Sequence, residues 1–232
     1  MNTLKTGIKS LDKKLNGGLR NGSLTVIAGR LCSGKSSFAS QIAGNIAKSG
    51  KRVLLVNLET SEKGVRYKMS KQGFESSKDN VIVFDGPGIE VEDISQLATS
   101  SKKVDAIFVD YIYLIGGKNN KLISGKQEVD ETISGLKCLA EKMNVPIVVV
   151  STLSRELKGV TDIVPLMESV RKAGFSEQDT DIIIFLHRDP YCAMSADKPE
   201  NNLLILGENK YGETAIIPVH YNREKMIFED IQ

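Results

Sequence analysis

The sequence predicts an α/β fold: a mostly parallel central sheet with helices on both faces and antiparallel strands near the carboxyl end. Two observations carry this prediction. Short apolar runs alternate with amphipathic helix patterns as far as residue 150, which is typical of parallel sheets covered by helices. Further apolar runs then follow one another with turn-forming residues between them. No stretch of linker composition divides the chain, so we expect residues 1–232 to form a single domain.

Composition narrows the class of protein. The apolar fraction of 41% and the charged fraction of 26% are ordinary for a soluble globular protein. A formal net charge of +2 neither favours nor excludes a nucleic-acid partner. The 3 cysteines have no metal-ligand spacing, and their odd number favours a reducing, cytoplasmic setting. No apolar run approaches the roughly 20 residues that span a bilayer, so we expect no membrane partner.

The chain starts with a short helix pattern over 6–15, for which Thr6 is the predicted N-cap. A buried strand at 24–28 leads into a glycine-bearing loop, and a helix follows at 36–49. The loop from Gly29 to Ser36 reads G-x-x-x-x-G-K-S, the phosphate-binding loop of nucleoside triphosphatases. A strand, a glycine loop and a helix in this order point backbone N–H groups and a helix N-terminus at a phosphate.

The loop therefore predicts ATP and Mg²⁺ as cofactors. Lys35 is expected to reach the β- and γ-phosphates, and the Ser36 hydroxyl to ligate Mg²⁺. The residues predicted to contact the nucleotide are Gly29, Arg30, Leu31, Cys32, Ser33, Gly34, Lys35, Ser36 and Ser37.

The other elements follow from the same patterns. The central part of the chain alternates strands with helices, predicted in order at 53–58, 62–72, 81–84, 91–101, 105–110, 126–143 and 145–151. A polar, basic loop lies at 116–121, and residues 154–180 are irregular apart from one short helix at 166–171. The last strands are expected to extend the sheet as antiparallel hairpins, at 181–187, 202–206, 214–219 and 225–228.

Two carboxylates follow strands at the edge of the sheet where the phosphate-binding loop lies. Asp110 ends the strand at 105–110 and is predicted to hold Mg²⁺ or a metal-bound water. Glu59 follows the strand at 53–58 and suits a general base that polarises the attacking water. The alternative for Glu59 is a carboxylate that only favours a helix start. Asp105, at the opposite end of its strand, is predicted to be structural or solvated.

Segments along nearly the whole chain resemble the C-terminal ATPase domain of DnaB-type replicative helicases, which has a RecA-like fold. Residues 57–61 are similar to the family's catalytic-glutamate segment, and residues 109–114 to its metal-anchoring strand end. The most specific run is 177–181, continuing to 185–189. Further similar segments lie at 6–8, 11–12, 18–19, 127–129, 136–140 and 144–146.

The resemblance implies a hexameric, ATP-driven motor that translocates on single-stranded DNA during replication, with replisome proteins as partners. Two loops, at 117–126 and 155–174, are expected to face the DNA channel. Their cations would neutralise phosphates, although charge alone, without the resemblance, favours a solvated loop. These DNA-binding candidates are Lys118, Lys121, Lys126, Arg155, Lys158, Arg171 and Lys172.

The sequence departs from the family pattern at three positions that the resemblance assigns to the nucleotide site. Thr152 stands where the family has a glutamine that senses the γ-phosphate. Lys210 occupies the arginine-finger position, and Glu208 occupies a neighbouring lysine position. Because a lysine lacks the bidentate fork of a guanidinium, hydrolysis is expected to slow, unless another cation such as Arg188 serves the nucleotide.

These departures keep a second function open: a nucleotide-gated regulatory or accessory protein with weak or no unwinding activity. The chain begins almost at the ATPase domain, so we expect no N-terminal helicase domain, and either a hexameric ring or a monomer in isolation. Another RecA-like ATPase, in the manner of the RadA or KaiC families, is a third interpretation, and the run at 177–181 argues against it.

Overall fold

The computed structural model describes residues 3–86, 88–100, 103–117, 121–122, 125–153, 163–176, 178–188 and 202–231. The helices are α1 (Lys9–Lys14), α2 (Lys35–Lys48), α3 (Glu62–Lys71), α4 (Val91–Ser100), α5 (Lys126–Met143) and α6 (Ile163–Lys172). Two short 3-10 helices lie at Glu75–Asn80 and Ile112–Leu114. The strands are β1 (Thr3–Leu4), β2 (Leu19–Arg20), β3 (Leu24–Gly29), β4 (Val53–Asn57), β5 (Val81–Asp85), β6 (Ala106–Asp110), β7 (Gly116–Gly117), β8 (Lys121–Leu122), β9 (Ile147–Thr152), β10 (Ile182–His187), β11 (Asn202–Asn209), β12 (Ala215–Asn222) and β13 (Ile227–Asp230).

The main sheet has nine strands in the order β13-β12-β11-β10-β3-β9-β6-β4-β5. The strands from β10 to β5 are parallel to one another, and β11, β12 and β13 continue the sheet with antiparallel pairing. This confirms the predicted α/β architecture. The strand β10 joins the two parts of the sheet, because it pairs parallel to β3 on one side and antiparallel to β11 on the other.

Successive residues of each central strand point to opposite faces of the sheet, and each face has its own apolar core. On β3, Val26 packs with the core under α4, α5 and α6, whereas Ile27 packs with the core under α2 and α3. Phe38 of α2 and Leu136 of α5 are fully buried in these two cores. Helices therefore cover both faces, as the sequence predicts.

Three local features differ from the predictions. The N-cap of α1 is Ile8 rather than Thr6; the Thr6 hydroxyl instead donates a hydrogen bond of 2.8 Å to Asp12. The strands β1 and β2 form a small antiparallel pair that no pattern indicated, since two residues are too few for a periodicity. The strands β7 and β8 form another such pair inside the predicted loop at 116–121.

The two ends of the parallel strands have different chemistry. At the amino end of β6, Asp105 accepts a hydrogen bond of 2.9 Å from the backbone N–H of Arg52 and lies 3.3 Å from the Lys51 ammonium. Asp105 is therefore structural, as expected. At the carboxyl end, Gly29 pairs with Thr152 and Asn57 pairs with Asp110, so the candidate residues share one edge. Within the described residues, no helix combines the length and apolar character needed to cross a membrane.

Candidate functional site

The loop between β3 and α2 is shaped by backbone conformations that suit a phosphate. Gly34 is the N-cap of α2 and has φ +97°, and Cys32 has φ +62° although it is not glycine. A Cβ on Gly29 would lie 2.7 Å from the Leu186 carbonyl oxygen, and one on Gly34 would lie 3.0 Å from the Phe228 ring. Both glycines are thus required by close approach, while Leu31 and Cys32 are exposed at the loop tip.

Polar atoms around this loop lack protein partners. Among the described residues, the Ser33 hydroxyl and the Nε atoms of Arg30 and Arg188 are buried without a hydrogen-bond partner. Ser33 is only 3% exposed, so an unpaired hydroxyl there has a free-energy cost. A polar ligand such as a phosphate chain would satisfy donors of this kind, so the loop fits a bound nucleotide.

Lys35 is held inside the loop. Its ammonium donates a hydrogen bond of 2.7 Å to the Arg30 carbonyl oxygen, and the residue is 7% exposed. Burial lowers the pKa of Lys35 to about 8, although the negative charges of Asp110 and Glu59 oppose the shift. A phosphate would supply the compensating charge that the buried ammonium lacks.

Ser36 and Asp110 come together beside Lys35. The Ser36 hydroxyl donates a hydrogen bond of 3.1 Å to Oδ1 of Asp110, which is 4% exposed. Burial raises the pKa of Asp110, while the bond from Ser36 lowers it. Among the described residues, no group of three or more His, Cys, Asp or Glu side chains is arranged so that it could hold a metal ion. The hydroxyl and the single carboxylate still fit Mg²⁺, which typically takes few protein ligands and completes its shell with phosphates and waters.

Glu59 is positioned by the residue that ends β4. The buried Asn57 side chain accepts hydrogen bonds from the backbone N–H groups of Glu59 (3.2 Å) and Thr60 (2.7 Å). The backbone N–H of Leu58 donates to the Asp110 carbonyl oxygen at 2.7 Å. The Glu59 side chain is exposed, and its charge acts on both Lys35 and Asp110. Glu59 thus lies at the mouth of the same site.

Thr152 also reaches this edge. It pairs with Gly29 at the end of β9, and the next residue, Leu153, donates a backbone hydrogen bond of 2.9 Å to the Gly29 carbonyl oxygen. The preceding Ser151 is hydrogen-bonded to Tyr113, whose pKa is raised by burial. Thr152 therefore lies beside the phosphate-binding loop.

Arg188 flanks the loop from the other side. Its guanidinium carbon lies 4.0 Å from the centroid of the Tyr221 ring. The Tyr221 ring is in turn 4.7 Å from the Phe228 ring. Gln41 of α2 fixes Phe228 by exchanging two hydrogen bonds of 2.7 Å with its backbone. The residue after β10 thus brings a cation to the phosphate-binding loop, and the antiparallel strands β12 and β13 bring two aromatic rings.

Lys210 lies elsewhere. Its ammonium donates a hydrogen bond of 2.7 Å to the Gln178 carbonyl oxygen and lies 3.8 Å from Asp181. Asp181 precedes β10 and accepts a bond of 2.8 Å from the backbone N–H of Leu24, at the start of β3. Because Gly29 ends β3, Lys210 is at the opposite end of the sheet from its own phosphate-binding loop.

The candidates for DNA contact are described only in part. Lys118, Arg155 and Lys158 lie outside the described residues, and Lys121 lies in β8. The remaining candidates, Lys126, Arg171 and Lys172, lie near one another. Gly174, which follows α6, packs so closely on the first residue of α5 that a Cβ on it would lie 2.5 Å from the Lys126 carbonyl oxygen. The basic last turn of α6, with Arg171 and Lys172, therefore abuts the first turn of α5.

Two further residues at the site carry no sequence-based prediction. Asn57 orients the backbone at Glu59, and Lys68 of α3 acts electrostatically on Asp110. The sequence signals for Asn57 are its place at the end of a buried strand and within the run at 57–61, and neither assigns a role to its side chain. Lys68 looks like any cation on an amphipathic helix, so its proximity to Asp110 needs the packed structure.

Comparisons with known proteins agree with this geometry. The sequence model of the DnaB-like helicase C terminal domain family matches residues 3–75 and 66–230. The replicative DNA helicase DnaB of Geobacillus stearothermophilus is 27% identical over 258 positions, covering 99% of this chain and 57% of that protein. The replicative DNA helicase DnaC of Bacillus subtilis (strain 168) gives the same identity and coverage. The chain thus spans a little over half the length of these relatives.

Solved structures give the same fold. One solved ATPase domain superposes with a TM-score of 0.87 at 22% identity, covering 100% of this chain and 92% of that one. A DnaB-like replicative helicase, described with its interactions with primase, also gives 0.87 at 22% identity and covers 100% and 62% of the two chains. The RadB recombinase is more distant, with a TM-score of 0.67 at 22% identity over 99% of this chain and 100% of that one. The RecA-like fold is thereby confirmed.

Proposed function

The chain belongs to the DnaB-like helicase C-terminal domain family, and we propose that it is the ATP-hydrolysing motor part of a replicative DNA helicase that translocates on single-stranded DNA. The observation that carries the proposal is the meeting of Lys35, Ser36 and Asp110 at one edge of the sheet. A phosphate-binding cation, a hydroxyl and a buried carboxylate are the groups that a Mg²⁺-dependent nucleoside triphosphatase requires.

Each residue has a distinct task in this proposal. Lys35 and the backbone N–H groups of the loop bind the phosphates, and Ser36 and Asp110 would hold Mg²⁺, which supplies charge neutralisation when bound. Glu59, exposed at the mouth and fixed by Asn57, takes a proton from the attacking water. Lys35 and Asp110 are buried, which strengthens their electrostatic interactions with the phosphates and with Mg²⁺.

Arg188 and Thr152 are proposed to complete the nucleotide site. Arg188, stacked over Tyr221, offers a planar cation beside the loop for a nucleotide. Thr152, whose backbone pairs with Gly29, would respond to the phosphates through its hydroxyl. A hydroxyl is shorter than a glutamine amide, so we expect weaker coupling between the nucleotide and the following segment.

Single-stranded DNA is the proposed track, and Lys126, Arg171 and Lys172 form its described contact surface. The packing of Gly174 on the first turn of α5 supports one continuous basic surface rather than two separate loops. Lys118, Lys121, Arg155 and Lys158 would extend this surface by their place in the sequence. Phosphate contacts by such cations are independent of sequence and sensitive to salt.

A homo-oligomeric ring and replisome partners belong to the same proposal. Lys210 lies at the opposite end of the sheet from its own loop, so any phosphate it contacts would be bound by a neighbouring subunit. The relative described with primase supports a replisome setting, which is cytoplasmic in keeping with the cysteine usage.

One observation favours the alternative, a nucleotide-gated accessory protein with weak or no unwinding. The Lys210 ammonium is bound within its own chain by Gln178 and Asp181, and a lysine lacks the fork of an arginine finger. Such fingers contribute about 10³- to 10⁵-fold to hydrolysis in related enzymes.

A strand-displacement assay on a forked DNA duplex, paired with a mass measurement in ATP and Mg²⁺, separates the two functions. ATP-dependent displacement by a ring-sized assembly supports the motor. A monomer that binds ATP and displaces nothing supports the accessory protein.

A further inference from the structure

We infer that Cys32, at the tip of the phosphate-binding loop, is a site of covalent modification by anionic disulfides such as glutathione disulfide, and that this modification and nucleotide binding exclude each other. The inference rests on the proposed function only in that the loop binds phosphates. It follows from the exposure of the thiol, from the unsatisfied polar groups beside it, and from the charge that those groups attract.

The Cys32 thiol is free and exposed. Its neighbour Leu31 is 63% exposed, so the loop tip is open to solvent. Among the described residues Cys138 is a second exposed free thiol, and it lies in α5, on the other face of the sheet from α2. The two thiols therefore differ in their surroundings rather than in their access to a reagent, and Cys138 serves as a reference within the same molecule.

The groups beside Cys32 fit an anionic ligand. The Ser33 hydroxyl is buried without a hydrogen-bond partner, and it points into the loop, since it would lie 2.8 Å from a Cβ on Gly29. The Lys35 ammonium is also buried, and it donates its hydrogen bond of 2.7 Å to the neutral Arg30 carbonyl oxygen. Because a buried donor and a buried cation are costly without such a partner, an anion in the loop would stabilise both.

The same groups would bring an anionic reagent to the thiol. A charge on the Cys32 sulfur acts on the Lys35 ammonium, so the sulfur lies within electrostatic reach of that cation. Gly34, two residues after Cys32, is the N-cap of α2, and the N-terminus of a helix carries partial positive charge. Positive groups raise the local concentration of an anion. Cys32 is therefore an exposed nucleophile beside a site that attracts carboxylates as well as phosphates.

The modification is a thiol–disulfide exchange, which needs no further oxidant. The Cys32 thiolate attacks one sulfur of glutathione disulfide, a new S–S bond forms between Cys32 and that sulfur, and the other half leaves as a thiolate that takes up a proton from solvent. Dithiothreitol reverses the step by the same exchange. The attached tripeptide brings carboxylates to the loop, where they would compete with phosphates for the Ser33 hydroxyl and the Lys35 ammonium.

Rates of modification by glutathione disulfide and by cystamine, a cationic disulfide, test the recruitment of an anion. The measurement uses a Cys192→Ser background, because Cys192 lies outside the described residues, and peptide masses identify the modified thiol. We expect glutathione disulfide to modify Cys32 about tenfold or more faster than Cys138, and cystamine to show no such preference for Cys32. Saturating ADP with Mg²⁺ should slow the modification of Cys32 about tenfold and leave Cys138 unaffected.

Calorimetric titration with ADP and Mg²⁺ measures the reverse effect. Protein modified at Cys32 should bind ADP about tenfold or more weakly than the reduced protein, and dithiothreitol should restore the affinity. In Cys32→Ser, the ratio of ADP affinity before and after treatment with glutathione disulfide should be one. Cys138→Ser is the matched control and should still lose ADP affinity on treatment.

Three outcomes overturn the inference while leaving the proposed function intact. The first is the same preference for Cys32 over Cys138 with the anionic and the cationic disulfide, and the second is modification of Cys32 at a rate that ADP does not change. The third is unfolding of the modified protein, seen by circular dichroism, because the loss of affinity would then not be competition. A parent protein that binds no ADP overturns the proposed function and this inference together.

Discussion

The Ser36 hydroxyl donates a hydrogen bond of 3.1 Å to the Asp110 carboxylate, although the two residues are 74 positions apart in the sequence. Ser36 lies in the first turn of α2, and Asp110 ends β6, which is two strands away from β3 in the sheet. The fold thus brings together the two side-chain oxygens that the proposed magnesium site would use.

This pairing predicts that Ser36→Ala and Asp110→Asn lose the part of nucleotide affinity that depends on Mg²⁺. That part is measured as the ratio of the ADP affinity in the presence of Mg²⁺ to the ADP affinity in the presence of a chelator. We expect a ratio near one for both variants, because one loses the hydroxyl and the other the charge. Ser49→Ala, after the far end of α2, should keep the parental ratio. A parental ratio in Asp110→Asn would assign the metal to another residue.

The pKa values of Lys35 and Asp110 predict a bell-shaped dependence of nucleotide affinity on pH. Since burial lowers the pKa of Lys35 to about 8, its charge is lost in the free protein as the pH rises through 8, and affinity falls. Burial raises the pKa of Asp110, so at the acid end the carboxylate is protonated above its ordinary pKa of 3.8, and Mg²⁺-dependent affinity falls. Titrations that extend from below the ordinary carboxyl pKa of 3.8 up to about pH 10 measure both limbs. A nucleotide affinity that stays constant between pH 7 and 10 would contradict a role for the buried Lys35 ammonium in phosphate binding.

The ion pair between Lys137 and Asp181 predicts a large effect on stability. Its atoms are 2.7 Å apart, and the side chains are 15% and 6% exposed. Burial lowers the pKa of Lys137, but the hydrogen bond and charge of Asp181 outweigh it and leave the pKa raised. We expect Lys137→Met to lower the free energy of unfolding by about 3 kcal/mol, because a buried carboxylate loses its closest cation. Urea unfolding measures the loss, and exposed Lys142→Met on the same helix should change little.

The basic surface formed by Lys126, Arg171 and Lys172 predicts salt-sensitive binding of single-stranded DNA. Replacing all three by alanine should weaken binding of an oligothymidine and make the dependence of log affinity on log salt less steep by roughly 0.7 for each phosphate that is no longer neutralised. Fluorescence anisotropy at several salt concentrations measures both quantities. Lys48→Ala, exposed at the end of α2, is the control. An unchanged slope in the triple variant would place the DNA elsewhere.

The sequence was most informative where function depends on contiguous residues. The loop from Gly29 to Ser36 and the strand ends at Glu59 and Asp110 could be recognised because each lies within one short pattern, and the parallel sheet brings them to one edge. Lys68 could not be recognised in this way. Its proximity to Asp110 depends on how Gln72 docks α3 on α2, through a hydrogen bond from the Gln72 side chain to a backbone carbonyl oxygen 35 residues away that no periodicity encodes.

The opposite end of the sheet also contains contacts that sequence patterns do not encode. The run at 177–181 is the most family-specific part of the sequence. Its described residues contact α5 rather than the phosphate site. Asp179 is hydrogen-bonded to Ser134 of α5, and Asp181 pairs with Lys137. Sequence similarity identifies the run as characteristic of the family, but only the packed structure shows whether its residues serve the fold or the reaction.

The central claim, a DNA-coupled ATPase, is tested most directly by the steady-state rate of ATP hydrolysis with and without single-stranded DNA. We predict that DNA raises the turnover of the parent several-fold, that Glu59→Gln abolishes turnover but still binds ATP, and that Glu62→Gln, at the start of α3, hydrolyses like the parent. Turnover that is the same with and without DNA, or that persists in Glu59→Gln at the parental rate, would contradict the account.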